Sequence, residues 1–362
     1  MELKVKFLKW SAGMPVVILN KVTAEKIGVR VNDRVLIKTI GKGRKQMYAI
    51  VDTVLDLIKP KQIAVSQEIK EQMNLKKRQK LDVIFSISSG SLNLIKKKLN
   101  KKELSGKEVR QIIKDIVNNA LSQAEIALFV SAMYQNGMNF NETTHLIKAI
   151  LETGNSLDLK RKYVVDKHCI GGVPGNRTTP LVVAICAAAG LTIPKTSSRA
   201  ITSPAGTADV IESIAQIDFS VKELKKIVLK TNGCMVWGGG LGFVPADSKI
   251  IHVEKLLALD PQAQLLASIM SKKLSGGSNY ILIDIPYGKT AKISHKKAIE
   301  LKRKFEALGK HFKKKLKIVL TDGSQPIGNG IGPVLEMQDV LSVLKRQKLV
   351  SDLENKSVFL AG

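Results

Sequence analysis

The sequence predicts an α/β protein that also has an all-α lobe and a small N-terminal β-barrel-like domain. Residues 1 to about 84 contain short segments in which charged and apolar residues alternate, the period of half-buried strands. Residues 91 to about 155 change to a helical period. From about residue 160 strands, loops and helices follow one another, and a helical pattern returns at 261–274. We therefore expect a two-lobed core whose helical lobe combines two separated segments.

The individual elements follow from these patterns. Four strands are predicted near the N-terminus, at 4–7, 16–19, 34–39 and 48–52, with turns at Gly28 and Asp33. Helix starts are predicted at 105–108 and at 141–142, where capping residue types precede apolar runs. The resulting domains are 1–84 for the β-rich part, 85–158 with 246–276 for the helical lobe, and 159–245 with 277–362 for the α/β lobe.

The charge balance raises an alternative of a different class. Lysine and arginine number 58 against 31 aspartates and glutamates, a formal net charge of +27, which attracts nucleic acid without sequence preference. A basic nucleic-acid-binding protein without catalysis is therefore one hypothesis. Aromatic residues make up only 4% and do not interleave with lysine runs such as 96–98 and 313–315, as stacking platforms would. We interpret the runs as solvated helix faces and expect no specific nucleic-acid partner.

Apolar runs and cysteines limit the protein class further. The longest apolar stretch, 181–189, is too short to span a bilayer, and the first ten residues lack the apolar core of a secretory signal. We expect a cytoplasmic protein with no membrane partner. The three cysteines are widely spaced, so we expect neither disulfides nor a zinc site, and we interpret Cys169 as a packing residue and not a nucleophile.

Two loops that flank one short apolar helix predict anion binding. The first loop, 171–177, contains three glycines and leads into a helix with Pro180 in its first turn. The unpaired amides of such a turn favour an anion, and glycine lets the backbone approach it closely. The second loop, 196–203, carries several hydroxyls and one guanidinium. Lys167 and His168 add charge just before the glycines, at the end of a strand predicted at 163–166, where crevices open in parallel sheets.

The run DKHCIGGVPGNRTTPLVVAICAAAG, followed by PKTSSRAITSPAGTAD, resembles the signature of the thymidine phosphorylase family. It is most similar to the archaeal-type AMP phosphorylase branch of that family, because Cys169, Asn176 and Ala200 stand where the pyrimidine-nucleoside branch has other residues. The similarity continues through 236–240, 245–247, 267–273, 284–286 and 321–326. The resemblance implies a core like that of class II nucleoside phosphorylases and an N-terminal barrel of double-psi type without catalytic groups.

The resemblance also implies an activity. Inorganic phosphate would attack the anomeric carbon of a nucleoside 5′-monophosphate, so that AMP and phosphate give adenine and ribose 1,5-bisphosphate, with CMP and UMP as further substrates. No cofactor or metal is expected, because phosphate is the co-substrate. A homodimer through the helical lobe is expected. A pyrimidine nucleoside phosphorylase is the nearest alternative. A magnesium-dependent phosphoribosyltransferase is disfavoured, because the first loop holds no acidic residue.

Residue roles are carried over by the same resemblance. Asp260 matches the proton donor. The substrate-contacting positions are Gly172, Ser198, Arg199, Ala200, Ile201, Thr202, Ser203, Thr207, Ser268 and Lys292, together with Lys167 and His168 on the phosphate and sugar side and Lys272 on the base side.

Asp260 has a second interpretation, because Asp before Pro is typical of a helix N-cap and first turn. A free aspartic acid has a pKa of about 3.9, so donation at neutral pH requires desolvation or a nearby anion. A helix from Pro261 would place Gln264, Ser268 and Lys272 on one face, which is expected of a substrate-facing stripe and of plain solvent exposure alike.

Two departures from the family pattern affect these expectations. His252 stands where the family tends to have an arginine, so the contribution of that arginine is missing and Arg199 is the guanidinium nearest the site in sequence. The family usually continues with a further β/α domain after the position of Gly362. Either a natural loss or a boundary of the sequence fits this, and the motif residues all precede it.

Overall fold

A computed structural model describes residues 1–41, 43–86, 90–200 and 205–362 of the chain. The chain forms two compact units, Met1–Gly137 and Met138–Gly362. The division into three domains expected from the sequence stays a prediction. Among the described residues, none of the helices combines the length and the apolar character that crossing a bilayer requires.

The N-terminal unit begins with a closed six-stranded barrel. Its strands run in the spatial order β1-β5-β2-β4-β3-β6 and include two parallel pairs, β1 with β5 and β2 with β4. The strands are β1 Glu2–Phe7, β2 Val16–Asn20, β3 Arg34–Thr39, β4 Gln46–Val54, β5 Gln62–Val65 and β6 Lys80–Phe85. Helices α1 (Lys21–Ile27) and α2 (Gln67–Met73) lie between them in sequence.

The four predicted strands of this barrel are confirmed, but the sequence analysis missed β5 and β6. Alternate residues of β1 and β3, such as Leu3, Val5, Val35 and Ile37, are buried in one cluster, as the strand period requires. The strand β5 has only four residues, so its alternation is too brief to recognise.

Three helices complete the N-terminal unit: α3 (Ser91–Leu99), α4 (Gly106–Val117) and α5 (Gln123–Asn136). The predicted start of α4 is confirmed, because the Ser105 side chain accepts from the amide of Glu108 and the Glu108 carboxylate accepts from the amide of Ser105. The predicted face of Val109, Ile112 and Ile113 is buried.

The second unit combines helices with two parallel sheets. The sheet β11-β10-β7 and the pair β8-β9 are joined by a parallel bridge between Val164 and Thr192. The strands are β7 Val165–Cys169, β8 Ile193–Ser197, β9 Gly233–Trp237, β10 Tyr280–Tyr287 and β11 Lys315–Asp322. The helices are α6 Phe140–Glu152, α7 Thr178–Ala188, α8 Thr207–Glu212, α9 Val221–Thr231, α10 Pro245–Leu257, α11 Gln262–Ser275, α12 His295–His311, α13 Pro333–Leu344 and α14 Ser351–Ala361.

Parallel pairing places the ends of β7, β8 and β10 at one edge, where the following loops meet. Helices α10 and α11 both pack against α6 within the same unit. Two boundaries differ from expectation. The cap of α6 is Asn139 and not Asn141, because the Asn139 side chain completes a capping box with Glu142. The strand β7 both starts and ends later than predicted, so it includes Lys167 and His168.

Gly175 lies in the loop between β7 and α7 and has a positive φ of 68°. A Cβ atom there would lie 2.0 Å from the carbonyl oxygen of Ile327. Gly190, after α7, also has a positive φ (82°) but has open space around its Cβ position.

We predict that Gly175→Ala lowers the melting temperature of the protein more than Gly190→Ala does. In the control, Gly190→Ala, a residue with a Cβ atom must adopt the left-handed conformation, which destabilises the fold by about 1–2 kcal/mol. Gly175→Ala has the same unfavourable conformation and also places its Cβ atom against the carbonyl oxygen of Ile327. Thermal unfolding followed by circular dichroism tests this. Equal melting temperatures for the two variants would show that the loop between β7 and α7 moves away from Ile327 without loss of stability.

Candidate active site

A cavity of about 180 Å³ opens in the second unit at the edge where the strands end. Its wall includes side chains and backbone from the loop after β7, the end of β8, helices α10 and α11, and the segment after β10. The lining residues include His168–Val173, Asn176, Arg177, Lys195–Ser198, Ala205–Thr207, Glu254, Asp260, Gln264, Ser268, Lys272 and Lys292.

The glycine loop after β7 packs directly on Lys292. Gly171 and Gly172 have φ of 87° and 86°, and a Cβ atom on Gly172 would lie 2.6 Å from the Cβ of Lys292. Only glycine fits this approach without displacing the lysine backbone. The loop ends at Arg177, the N-cap of α7, which has no side-chain capping bond within the described part of the chain, so the first amides of α7 remain available to an anion. Anion binding by this loop stays a prediction.

Arg177 itself is held by a buried ion pair. Its guanidinium pairs with the carboxylate of Glu336 on α13 and donates to the carbonyl oxygen of Ala205. Both partners of the ion pair are almost fully buried, and Arg177 lines the cavity. The sequence analysis gave Arg177 no role, because its partner Glu336 is far away in the chain.

Lys167 and His168 occupy different positions relative to the cavity. Lys167 is buried below the loop, where its ammonium donates to the hydroxyl of Thr178 (2.7 Å) at the start of α7, and it is not among the lining residues. Burial lowers its pKa. His168 lines the cavity. Burial, followed by the charges of Lys273 and Lys195, holds the pKa of His168 well below its usual value, so the ring is neutral at physiological pH.

A network of buried charges lies around the two strands. Asp166 pairs with Lys273 (2.7 Å) and with Lys195 (3.8 Å). Burial and the neighbouring Lys273 ammonium lower the pKa of Lys195 well below its usual value. Lys195 lines the cavity, and sequence analysis missed it although it stands directly before the hydroxyl-rich segment. A lysine at the end of a short apolar run was the signal available for it.

A second buried pair links the last helix to the sheet. Lys356 on α14 lies 3.6 Å from the carboxylate of Asp284, which also accepts a hydrogen bond from the hydroxyl of Thr321 (2.6 Å). Asp284 pairs in register with Cys169 on the neighbouring strand. The motif residue Asp284 therefore balances charge below the glycine loop.

The second predicted loop is described only in part, and Ile201, Thr202 and Ser203 lie outside the described residues. Ser198 and Thr207 line the cavity. Arg199 is not among the lining residues. Its guanidinium pairs with Asp209 and Glu212 of α8 and lies 5.0 Å from the Trp237 ring. The arginine among the lining residues is Arg177 and not Arg199.

Ala200 and His252 also lie outside the cavity lining. The amide of Ala200 donates to Asp209 (2.8 Å), and its carbonyl oxygen accepts from the ammonium of Lys255. His252 is exposed on α10 and is not among the lining residues.

Asp260 lines the cavity, and the structure excludes the capping role considered for it. Helix α11 begins at Gln262, its N-cap is Pro261, and no side chain among the described residues caps it. The Asp260 carboxylate instead forms an ion pair with the ammonium of Lys292. Because Lys292 also contacts Gly172, one lysine connects the glycine loop to this carboxylate.

The polar stripe on α11 faces the cavity and not solvent. Gln264 is 1% exposed and donates to Asp247 (2.9 Å), and Ser268 is 9% exposed. Lys272 pairs with Asp247 (2.7 Å) and donates to the Ser268 hydroxyl (2.7 Å). The solvent-exposure interpretation is therefore wrong.

Glu254 is a third lining residue to which the sequence analysis gave no role. It stands seven residues after Asp247, two helical turns along α10, so both carboxylates lie on the same face. That spacing was the available signal, and the sequence analysis assigned no role to Glu254.

The chain matches the sequence pattern of the glycosyl transferase family helical bundle domain over residues 92–154 and of the α/β domain of that family over residues 161–293. An anthranilate phosphoribosyltransferase structure from Thermus thermophilus is similar with a TM-score of 0.59, over 74% of this chain and 86% of that chain. At 16% identity that likeness shows the fold alone. The fold and the matched domains define a glycosyl transferase of this family.

Proteins of similar sequence identify the particular family within the glycosyl transferases. AMP phosphorylases from Thermococcus kodakarensis and Methanococcus vannielii are 42% and 41% identical, over 100% and 99% of this chain and 71% of each relative. The AMP phosphorylase of Natronomonas pharaonis is 43% identical over 95% of this chain and 68% of the relative. The chain belongs to the AMP phosphorylase family.

The Cys169 thiol provides a test of the site electrostatics. Burial, followed by the charge of Asp284, raises the pKa of Cys169 to about 11, and the sulfur accepts from the backbone amide of Gly171 and the side-chain amide of Asn176. A thiol with a raised pKa holds little thiolate below that pH and is a poor nucleophile.

We predict that iodoacetamide at pH 8 alkylates Cys169 much more slowly in the folded protein than in urea. The raised pKa alone makes the thiolate fraction about a hundredfold smaller than in the unfolded chain. Peptide mass spectrometry after timed quenching measures the rate at this residue. Equally fast labelling in both states would contradict the raised pKa and the interpretation of Cys169 as a packing residue.

Proposed function

We propose that this chain catalyses phosphorolysis of nucleoside 5′-monophosphates, converting AMP and inorganic phosphate into adenine and ribose 1,5-bisphosphate. CMP and UMP are further proposed substrates. The names of its relatives support the nucleotide and the phosphate. The observation that carries the proposal is the contact of Gly172 with Lys292, whose ammonium pairs with Asp260. It joins an anion-binding loop to a carboxyl group in one cavity.

The proposed reaction needs both groups that bind phosphate and a group that donates a proton. Breaking the glycosidic bond develops positive charge on the sugar and negative charge on the base, while a phosphate oxygen bonds to the anomeric carbon. The amides at Gly172 and the hydroxyls of Ser198 and Thr207 suit phosphate oxygens. Ser268 and Lys272 on α11 suit the sugar and base. The buried Lys167 supports the loop from below, in this proposal, and does not contact substrate.

Asp260 is the proposed proton donor to the base. In the free structure its side chain forms an ion pair with the Lys292 ammonium. Bound phosphate attracts the Lys292 ammonium and leaves Asp260 beside a dianion, where a carboxylate takes up a proton more readily. Lys292 thus couples the arrival of phosphate to the protonation of the acid.

Three further proposals complete this assignment. The chemistry uses no cofactor or metal, because loop amides and ammonium groups meet the charge of both phosphates. The enzyme works in the cytoplasm as a homodimer through the helical segments, and α5 exposes Leu128 and Tyr134. The N-terminal barrel is of double-psi type, which its two parallel strand pairs support.

We predict that the protein releases adenine from AMP only when phosphate is present, and that it releases little thymine from thymidine. The second phosphate of a nucleotide adds interactions that a nucleoside lacks. Chromatography of the released bases measures both reactions. Release from thymidine but not from AMP would identify a pyrimidine nucleoside phosphorylase. RNA binding that persists at physiological salt, with no turnover of any substrate, would instead favour a nucleic-acid-binding protein.

We predict that Asp260→Asn lowers kcat about 100-fold or more and leaves KM for AMP nearly unchanged, because an amide holds the position but supplies no proton. Steady-state kinetics at saturating phosphate test this. Asp52→Asn, at an exposed position on β4, is the matched control and should retain wild-type kcat. A wild-type kcat in Asp260→Asn would remove this residue from the chemistry.

A further inference from the structure

Glu254 is a buried carboxyl group in the cavity wall that no role described above uses. Its side chain is on α10, the residue is 8% exposed, and it lines the cavity. Its Oε1 atom has no hydrogen-bond partner within the described part of the chain. A buried oxygen without a partner is unfavourable unless something that binds there later satisfies it.

The lysine ammonium groups near Glu254 form ion pairs with other carboxylates. Lys272 pairs with Asp247, and Lys292 pairs with Asp260. Helix α6 also packs against α10. The titratable side chains of α6 are Glu142, His145, Lys148 and Glu152. Asp260, which lines the same cavity, and Asp247, on the same face of α10, therefore take these positive charges.

These surroundings favour the neutral form of Glu254. Burial, then the negative charges of Asp247 and Asp260, raise its pKa to about 8, although Lys292 and Lys272 act in the opposite direction. Glu254 consequently carries a proton at neutral pH. Asp260, in contrast, is held beside an ammonium group.

We propose that Glu254 is the proton reservoir of the active site, passing its proton to the neighbouring carboxyl group Asp260 when phosphate binds. This inference rests on the proposed phosphorolysis. It makes Glu254 a positioning residue that acts through Asp260. Two carboxyl groups that share one proton in one cavity are a known arrangement for acid catalysis at neutral pH.

The proton balance closes without another reactant. Glu254 gives its proton to the Asp260 carboxylate, and Asp260 gives a proton to a ring nitrogen of the base as the bonding pair of the C–N bond moves onto the base. An oxygen of HPO₄²⁻ forms the new bond to the anomeric carbon. The phosphate proton is lost when the ester dianion forms, and it restores Glu254. One turnover thus consumes no net proton.

The decisive measurement is the pH profile of kcat for wild type, Glu254→Gln and Glu254→Asp at saturating AMP and phosphate. In the wild type we expect kcat to fall as the pH rises through about 8, because Glu254 then loses its proton. Glu254→Gln should have a kcat at least roughly tenfold lower and lack this alkaline fall. Glu254→Asp should recover part of the rate and keep the fall. Glu306→Gln, at an exposed position on α12, should match the wild type.

A second readout does not depend on turnover. A folded-state pKa above the unfolded value means that the folded protein binds an extra proton between about pH 4.5 and 8, so stability falls as pH rises through this window. The melting temperature of the wild type should therefore fall between about pH 5 and 8 more than that of Glu254→Gln. The infrared carbonyl band of a protonated carboxyl group at neutral pH should be weaker in this variant.

The outcomes separate the two proposals. Wild-type protein that releases no base from AMP contradicts the proposed function and the transfer step with it. An active wild type whose alkaline fall persists in Glu254→Gln contradicts the role of Glu254 alone. Equal infrared bands and equal pH dependence of melting in both proteins would show that Glu254 is ionised, which also overturns the inference.

Discussion

The close contact between the backbone at Gly172 and the side chain of Lys292 is the constraint on which the rest of the site depends. It fixes the loop after β7 against the segment after β10, and the Lys292 ammonium then reaches Asp260 before α11. A side chain at residue 172 would separate these parts. The anion-binding amides and the acid are therefore close together because one residue has no Cβ atom.

The two sides of the cavity present different polar groups. The strand side contributes Lys195, which lies near Asp166 and Lys273, whereas α10, α11 and the segments beside them contribute the carboxyl groups of Glu254 and Asp260 and the ammonium groups of Lys272 and Lys292. His168 lies at the strand side and stays neutral because of burial and because the neighbouring lysines repel a further positive charge. In the proposed reaction these groups are in place before substrate enters, with the glycine loop for the anionic nucleophile and the carboxyl groups for the proton. Preorganised charge of this kind is the largest contribution in many enzymes.

Much of this architecture could be predicted from the sequence. Regular periods revealed the barrel strands and the buried face of α4, and loop glycines indicated a segment that lines the cavity. Prediction failed where the decisive partner is distant in sequence. Arg177 depends on Glu336, which no local pattern reveals, and Lys195 depends on Asp166 and Lys273, so the apolar run before it was its one local signal. The capping role of Asp260 was a local inference as well, and the tertiary pairing with Lys292 displaced it.

The pair of Lys356 and Asp284 has a consequence for how the protein is made. Synthesis proceeds from the N-terminus, so the ribosome completes the glycine loop and β10 well before it reaches α14. Until α14 emerges and docks on α7, Asp284 has no ammonium partner from Lys356 beneath that loop. A nascent chain can therefore form the loops and strands around the cavity before Lys356 is present to pair with Asp284 below them.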